Sequence, residues 1–373
     1  MKKYITIDLN TTTSCNLRCS FCSVGMANGV ANSPFANLNT KLSLNKLIKL
    51  INTDLSESEG YEHIRIGFFG GEPLNNFEFI QSVIDNFKND ERISFFFYTN
   101  GLLLPRYIKN FKKWYNEFGK NVGIDGKPRL HIQISYDGEY QTNKLRIDAN
   151  GNGTAKKVKN AYKIAKKSGI SVSLKATIVA ESYPYLYDTF LEFIEDLDNG
   201  YYAPTPDTHS ERDRDLHKQD MEILYQQLSK IGNYILKHNL KPETFGWINK
   251  RTALCSVGHH LNMIDINGDV TVCHGASYMD DRDNHILGHV DDFKNVEKNM
   301  EQMSYVLDKN EMADECKNCD VFYCMRCNIV NELKSDKPTY RERMMDFPAN
   351  FQLCETFKTA DIIHKTLRYA IAV

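Results

Sequence analysis

No apolar run in this sequence approaches the ~20 residues that a membrane-spanning helix needs. The first residues, Met1-Lys2-Lys3-Tyr4-Ile5-Thr6-Ile7-Asp8, turn polar before a signal-peptide core is reached. No membrane partner is therefore expected, and the chain reads as cytoplasmic. Charge of one sign is missing as well: 46 Lys and Arg stand against 48 Asp and Glu, a net charge of -2. Without a basic excess or a Lys/Arg-rich block nothing neutralises a run of phosphates, which removes nucleic acid from the expected partners. Cysteine is scarce. Ten in 373 residues is far below the ~8–10% of a disulfide scaffold, and a reducing cytosol keeps ordinary disulfides open. Internal repeats and low-complexity tracts are also lacking. What is present, 42% hydrophobic and 25% charged residues, is the composition of a folded globular chain. Its length suits one large barrel or two packed domains.

Over residues 1–200 period-2 and period-3.6 patterns alternate, the signal for βα units and a parallel sheet. Six strands are expected, at Tyr4–Leu9, His63–Gly70, Ile93–Thr99, Leu130–Tyr136, Ser171–Val179 and, more weakly, Tyr201–Ala203. Between the first two, Leu44, Leu47, Ile48 and Ile51 keep helical spacing behind Ser43 as N-cap. Ile80, Val83, Ile84 and Phe87 repeat that stripe, and further helices are expected near 105–118, 154–168, 184–197 and 218–239. Pro204, Pro206 and the run Glu211-Arg212-Asp213-Arg214-Asp215 read as a solvated surface loop. Past Arg251 the helical period weakens, and Ile264 to Val272 reads as a hairpin about an Asn267-Gly268 turn. The expected division is a barrel over 1–240 and a second, ligand-held domain over 241–373.

The cysteines are unevenly spread. Cys15, Cys19 and Cys22 follow the first strand, and the next 232 residues contain none. Three thiolates in so short a loop can wrap one metal centre and leave a position open. A structural zinc site would be closed by a fourth protein ligand, and none lies within ten residues of Cys22. The C-x3-C-x2-C run, with Phe21 before its last cysteine, resembles the radical S-adenosylmethionine superfamily. The resemblance implies a [4Fe–4S] cluster on Cys15, Cys19 and Cys22 whose open iron is chelated by S-adenosylmethionine. It also implies reductive cleavage of that cofactor to a 5′-deoxyadenosyl radical.

Further segments extend the resemblance. Gly70-Gly71-Glu72-Pro73 closes the second strand and looks like the family's GGEP element, which implies that the glycines let the backbone approach a ligand and that the Glu72 carboxylate, beside exposed backbone carbonyls, accepts from the methionine ammonium group of S-adenosylmethionine. Tyr98-Thr99-Asn100-Gly101 and Ile134-Ser135-Tyr136-Asp137-Gly138 end the third and fourth strands, where α/β ligand sites lie. By resemblance Ser135 and Arg146 contact the ribose and carboxylate of S-adenosylmethionine. Thr99, Asn100 and Asp137 stand at the same rim, and Ile178 lies near the adenine. The plain alternatives are a Gly-Gly turn with an exposed acid, a surface arginine at 146 and core packing at 178.

Cys255, Cys273, Cys316, Cys319, Cys324, Cys327 and Cys354 form the second group. It resembles the SPASM extension, in which seven cysteines hold two auxiliary [4Fe–4S] clusters, although Cys324-x2-Cys327 is shorter than the family's loop. By the family pattern Cys255, Cys273 and Cys327 hold the nearer cluster, and Cys316, Cys319, Cys324 and Cys354 the farther. A zinc ribbon on Cys316, Cys319, Cys324 and Cys327 is the alternative. With ten cysteines for three clusters, one ligand is water, substrate or a histidine of the His259-His260 pair. His274 stands where sulfatase-maturing relatives carry an aspartate, and reads as a catalytic base.

The expected fold class is thus α/β, a partial (β/α)6 radical S-adenosylmethionine barrel with a C-terminal SPASM domain. The resemblance implies an enzyme that abstracts hydrogen from a peptide or protein, foremost a ribosomally made peptide receiving a crosslink, thioether or epimerised centre. A flavodoxin or ferredoxin would supply electrons. With Cys15 so near the start, no winged-helix segment precedes the barrel, so leader recognition would need a separate protein or the barrel mouth. The rival readings are an anaerobic sulfatase-maturing enzyme, a small-molecule dehydrogenase on the same scaffold, and a non-catalytic iron-sulfur or zinc regulator.

Overall fold

The computed structural model describes residues 4–22, 24, 38–58, 60–123, 126–206, 218–241, 244–246, 261–274, 277, 282–304, 319, 321, 354, 356, 358–363 and 365–366. The chain divides into two compact units. The first comprises Met1–Ser135, Asp148–Ser173 and Ser256–Ser304, and the second Tyr136–Ile147, Leu174–Cys255 and Tyr305–Val373. Among the described residues no helix is long and apolar enough to cross a membrane.

The first unit is built on a mostly parallel sheet. Its strands are β1 (Tyr4–Asn10), β2 (His63–Phe69), β3 (Ile93–Thr99), β4 (Leu130–Ser135), β5 (Val172–Lys175, the first two residues in this unit), β8 (Leu261–Ile264), β9 (Asp269–Thr271) and β10 (Ile286–His289). Their order is β10-β9-β8-β1-β2-β3-β4-β5. β1 pairs in parallel with β2 on one side and with β8 on the other. The Asn267-Gly268 hairpin expected from sequence therefore extends the barrel sheet, with β9 antiparallel to β8. Its turn is held by Asp265, whose Oδ1 accepts from the backbone N–H groups of Asn267, Gly268 and Asp269.

Successive strand residues face opposite sides of a sheet, and the two sides differ in kind. One is apolar: Ile5, Ile7, Leu9, Ile64, Ile66, Phe68, Phe95, Phe97, Ile132 and Ile134 are all buried. Helices α1 (Leu44–Lys49), α2 (Phe77–Phe87), α3 (Leu104–Trp114) and α5 (Ala155–Lys167) complete this unit's layer. Ser43 caps α1 by accepting from the Lys46 N–H, and the α2 stripe Ile80, Val83, Ile84 and Phe87 is fully inside, as its spacing requires. Phe97 and Phe111 meet edge to face at 4.8 Å. The other side carries Thr6, Asp8, Arg65, Gly67, Phe69, Phe96, Tyr98, His131, Gln133 and Ser135, polar or aromatic but for Gly67.

The second unit contains α4 (Glu139–Leu145), α6 (Leu186–Leu191), α7 (Lys218–Lys237) and the short parallel pair β6 (Thr177–Ile178) and β7 (Thr205–Pro206). Phe190, Phe193, Tyr202 and Phe245 are buried together at its centre. Two strand expectations change here. The stretch expected to run to Val179 breaks at Ala176, because side chains take the backbone: Asp137 Oδ1 accepts from Thr177 N–H, and the Gln141 amide donates to Thr177 C=O. The weak strand at Tyr201–Ala203 is a single bridge from Tyr202 to Phe245. Flanking Pro204 and Pro206 have no N–H to extend it.

Candidate active site

The cysteine loop leaves the end of β1 and is clamped from below by the residues that end β2. Gly71 N–H donates to Thr12 C=O and Glu72 N–H to Ser14 C=O, both at 2.8 Å. The Asn75 and Asn76 amides donate to Ser14 C=O and Thr11 C=O. This explains the glycines. A Cβ on Gly70, at φ +146°, would sit 2.3 Å from Thr12 O, and one on Gly71 would sit 2.5 Å from Thr13 O and Ser14 O. The close approach expected toward a ligand is first an approach to the chain's own cysteine loop.

Glu72 is completely buried, which a turn with an exposed acid is not. Its carboxylate accepts from Leu74 N–H at 3.1 Å, Thr99 Oγ1 at 2.7 Å and Asn100 N–H at 2.8 Å. It thereby ties the ends of β2 and β3 together. Burial pushes its carboxyl up to about 7 against the opposing effect of these three donors. Asn100 continues the tie, its amide donating to Asn16 Oδ1 at 2.7 Å and lying 3.8 Å from Cys15 Sγ. Cys15, Gly70, Gly71, Glu72, Thr99 and Asn100 are thus gathered into one rim, and Cys19 and Cys22 follow in the same loop, joined to each other by the Cys22 N–H to Cys19 C=O bond. Phe21 and Pro73 are buried beside them in the sequence.

The thiols suit a metal cluster. Burial and then the Glu72 charge push the Cys15 thiol well above its ordinary range; the Leu17 N–H acts against them, and Cys19 and Cys22 add smaller upward contributions. Among the described residues no three Cys, His, Asp or Glu side chains converge as a single-ion site requires. Cys15, Cys19 and Cys22 in one short loop supply the donor type that an iron-sulfur cluster takes, three thiolates, with one position left for another ligand.

Ser135 ends β4, half-buried on the polar side. Within the second unit Arg146 and Asp137 form a nearly buried pair, Nε to Oδ2 at 2.5 Å and Nη2 to Oδ1 at 3.1 Å. The arginine expected on a carboxylate of the cofactor is therefore held by a carboxylate of its own chain. Ile178 is 3% exposed, in register with Pro206. In the auxiliary group, Cys273, Cys319 and Cys354 are half-buried. Cys255, Cys316, Cys324, Cys327, His259 and His260 lie outside the described residues.

His274 stacks on Phe69 at 4.8 Å, and its Nδ1 is 3.5 Å from Oδ2 of the buried Asp8. Asp8 belongs to no motif of the sequence. The available signal is a lone acid in an alternating strand whose other face, Ile5, Ile7 and Leu9, is apolar.

A family model described as the radical SAM superfamily matches residues 9–197. Two curated proteins align to half the chain. The radical SAM cyclopropyl synthase TigE of Paramaledivibacter caminithermalis is 22% identical over 51% of this chain and 38% of its own length. An uncharacterized protein of Methanocaldococcus jannaschii is 28% identical over 50% of this chain and 57% of its own. The alignments thus span well under two thirds of either relative. Among solved structures, native anSMEcpe with bound AdoMet and Cp18Cys peptide superposes with a TM-score of 0.69 at 18% identity, covering 98% of this chain and 99% of that one. SuiB of Streptococcus suis bound to S-adenosylmethionine gives 0.55 at 14% identity, covering 90% and 76%. These likenesses establish the fold, an α/β architecture on a mostly parallel sheet. With the family match covering just over half of its residues, the chain belongs to the radical SAM superfamily.

Proposed function

We propose that this chain modifies a peptide, using S-adenosylmethionine and a [4Fe–4S] cluster held by Cys15, Cys19 and Cys22. Superfamily membership implies both groups. The observation that carries the reading is the rim around Glu72, which binds the cysteine loop to the ends of β2 and β3, where ligand sites of parallel α/β sheets lie. When bound, the cluster supplies the electron for reductive cleavage of S-adenosylmethionine, and the protein supplies placement and exclusion of water. The Gly70–Pro73 backbone, Thr99 and Asn100 are assigned to the cofactor's methionine end, with the Glu72 carboxylate fixing that backbone. Ser135 is assigned to the ribose, Ile178 to the adenine side, and Asp137 to orienting Arg146.

Residues 241–373 are assigned to a SPASM domain with two auxiliary [4Fe–4S] clusters on Cys255, Cys273, Cys316, Cys319, Cys324, Cys327 and Cys354. A peptide is favoured as substrate because anSMEcpe and SuiB, the fold relatives above, were each solved with one. His274, on a polar and aromatic sheet face, is assigned the substrate proton.

The test begins with anaerobic reconstitution and dithionite, followed by measurement of 5′-deoxyadenosine. Formation of 5′-deoxyadenosine that stops in Cys15→Ala supports the reading, and its absence in the iron-loaded wild type rejects it. Candidate peptides, sought among short reading frames beside the gene, are then added to find one that is converted. His274→Ala is expected to keep 5′-deoxyadenosine formation while conversion of that peptide falls ~10²–10⁴-fold, the usual contribution of a general base. Equal loss of both would place His274 in a structural role.

A further inference from the structure

Asp8 is the least expected group on the polar side of the sheet. Its side chain is fully buried, and neither carboxylate oxygen completes a hydrogen bond of normal geometry. The space it occupies is made for it. Gly67, directly opposite on β2, leaves a notch in which any Cβ would lie 1.9 Å from Asp8 Oδ1. Tyr98 on β3 closes the notch, 3.1 Å from the same Cβ position. Burial and then the Asp8 charge push the Tyr98 hydroxyl above its ordinary range, Arg65 acts in the opposite direction, and a side-chain interaction of the hydroxyl with the Asp8 carboxylate adds to the rise.

The remaining neighbour is His274. Its Nδ1 is buried, lacks a hydrogen bond of normal geometry, and faces Asp8 Oδ2 at 3.5 Å. The imidazole as a whole is 38% exposed, so its open edge lies away from Nδ1. Phe69 supports one face of the ring at 17° to its plane. Which ring nitrogen carries the proton is set by what the other nitrogen meets. A buried carboxylate accepts a proton-bearing nitrogen and repels a bare one.

We propose that Asp8 is a positioning residue that holds His274 as the Nδ1–H tautomer, turning a bare Nε2 toward the open side of the sheet as the proton acceptor. The proposal rests on the assignment of His274 to the substrate proton. It adds the reason why that nitrogen is available: a free histidine side chain favours the proton on Nε2, which would leave the exposed edge with a donor. Asp8 reverses this preference without touching the substrate.

The test reads the tautomer itself. The full chain, labelled with 15N-histidine and reconstituted without air, is observed at pH 8 by long-range 1H–15N correlation. The His274 signals are identified by their loss in His274→Gln. The expected result is a protonated Nδ1 and a bare Nε2 in the wild type, with the two nitrogens exchanging roles in Asp8→Ala. A proton on Nε2 in the wild type, alone or together with one on Nδ1, overturns the proposal, as does an unchanged tautomer in Asp8→Ala. The wild-type spectrum decides even if the variant fails to fold. No peptide is needed, so this failure is separate from that of the His274 assignment, which would show as undiminished peptide conversion by His274→Ala.

Discussion

His131 illustrates how one residue on the polar side of the sheet carries a pH dependence. Its Nδ1 and Nε2 each lie 2.8 Å from a hydroxyl, Ser171 and Ser173. Burial, with Arg65 and Lys127 nearby, lowers it from 6.5 to about 4. Between these values the unfolded chain takes up a proton that the folded chain refuses. The His131 contribution to stability therefore rises with pH across that window and is lost as the pH falls through it, by about 3 kcal/mol in all. Glu72, with its carboxyl raised to about 7, contributes the opposite slope over nearly the same window, so the measurement is a difference: urea denaturation of the wild type and of His131→Gln, which keeps both hydroxyl partners, should diverge from pH 4 to 7 by the His131 slope. Thr99 makes a second residue-scale prediction. Thr99→Val removes a buried donor to Glu72 and should cost ~1–3 kcal/mol, read as a lower urea midpoint with unchanged m-value.

At the scale of elements, the turn after β2 and the loop after β1 act as one piece. Gly71→Ala should drive a methyl group into the Thr13 and Ser14 carbonyls. The expected outcome is a reconstituted protein short of about four irons, the content of one cluster, with the helices unchanged by circular dichroism. Iron equal to wild type would show that the loop can yield. The helices behave more simply: Ile84→Ala in α2 opens a cavity at a fully buried site and should cost ~2–5 kcal/mol. The α2 stripe is legible in the sequence alone, because period 3.6 and burial on one side are the same statement. The strands are less so. Thr6, Asp8, Arg65, His131 and Gln133 alternate with apolar neighbours, a pattern that normally means solvent on one side. Here the polar side carries the candidate site, and the pattern of one strand cannot say what faces it.

For the whole molecule, the proposed cluster content gives a direct count. Reconstituted protein should hold about twelve irons, and the Cys15/Cys19/Cys22 triple Ala variant about eight. A count near four with stoichiometric zinc would favour the ribbon on Cys316, Cys319, Cys324 and Cys327 instead.

The parallel α/β class, the positions of the main helices, the superfamily and the three cysteines of the first group are legible from the order of residues. These depend on period, spacing and residue type, all of which are local. Tertiary structure alone decided that Gly70 and Gly71 approach the cysteine loop, that Glu72 is a buried tie across two strand ends, and that Arg146 is occupied by Asp137. It also decided that β8, more than two hundred residues along the chain, lies beside β1, and that Asp8 faces His274. The physical reason is the same in each case. A hydrogen bond or a buried charge is defined by its partner, and these partners are brought together only when the strands are laid side by side.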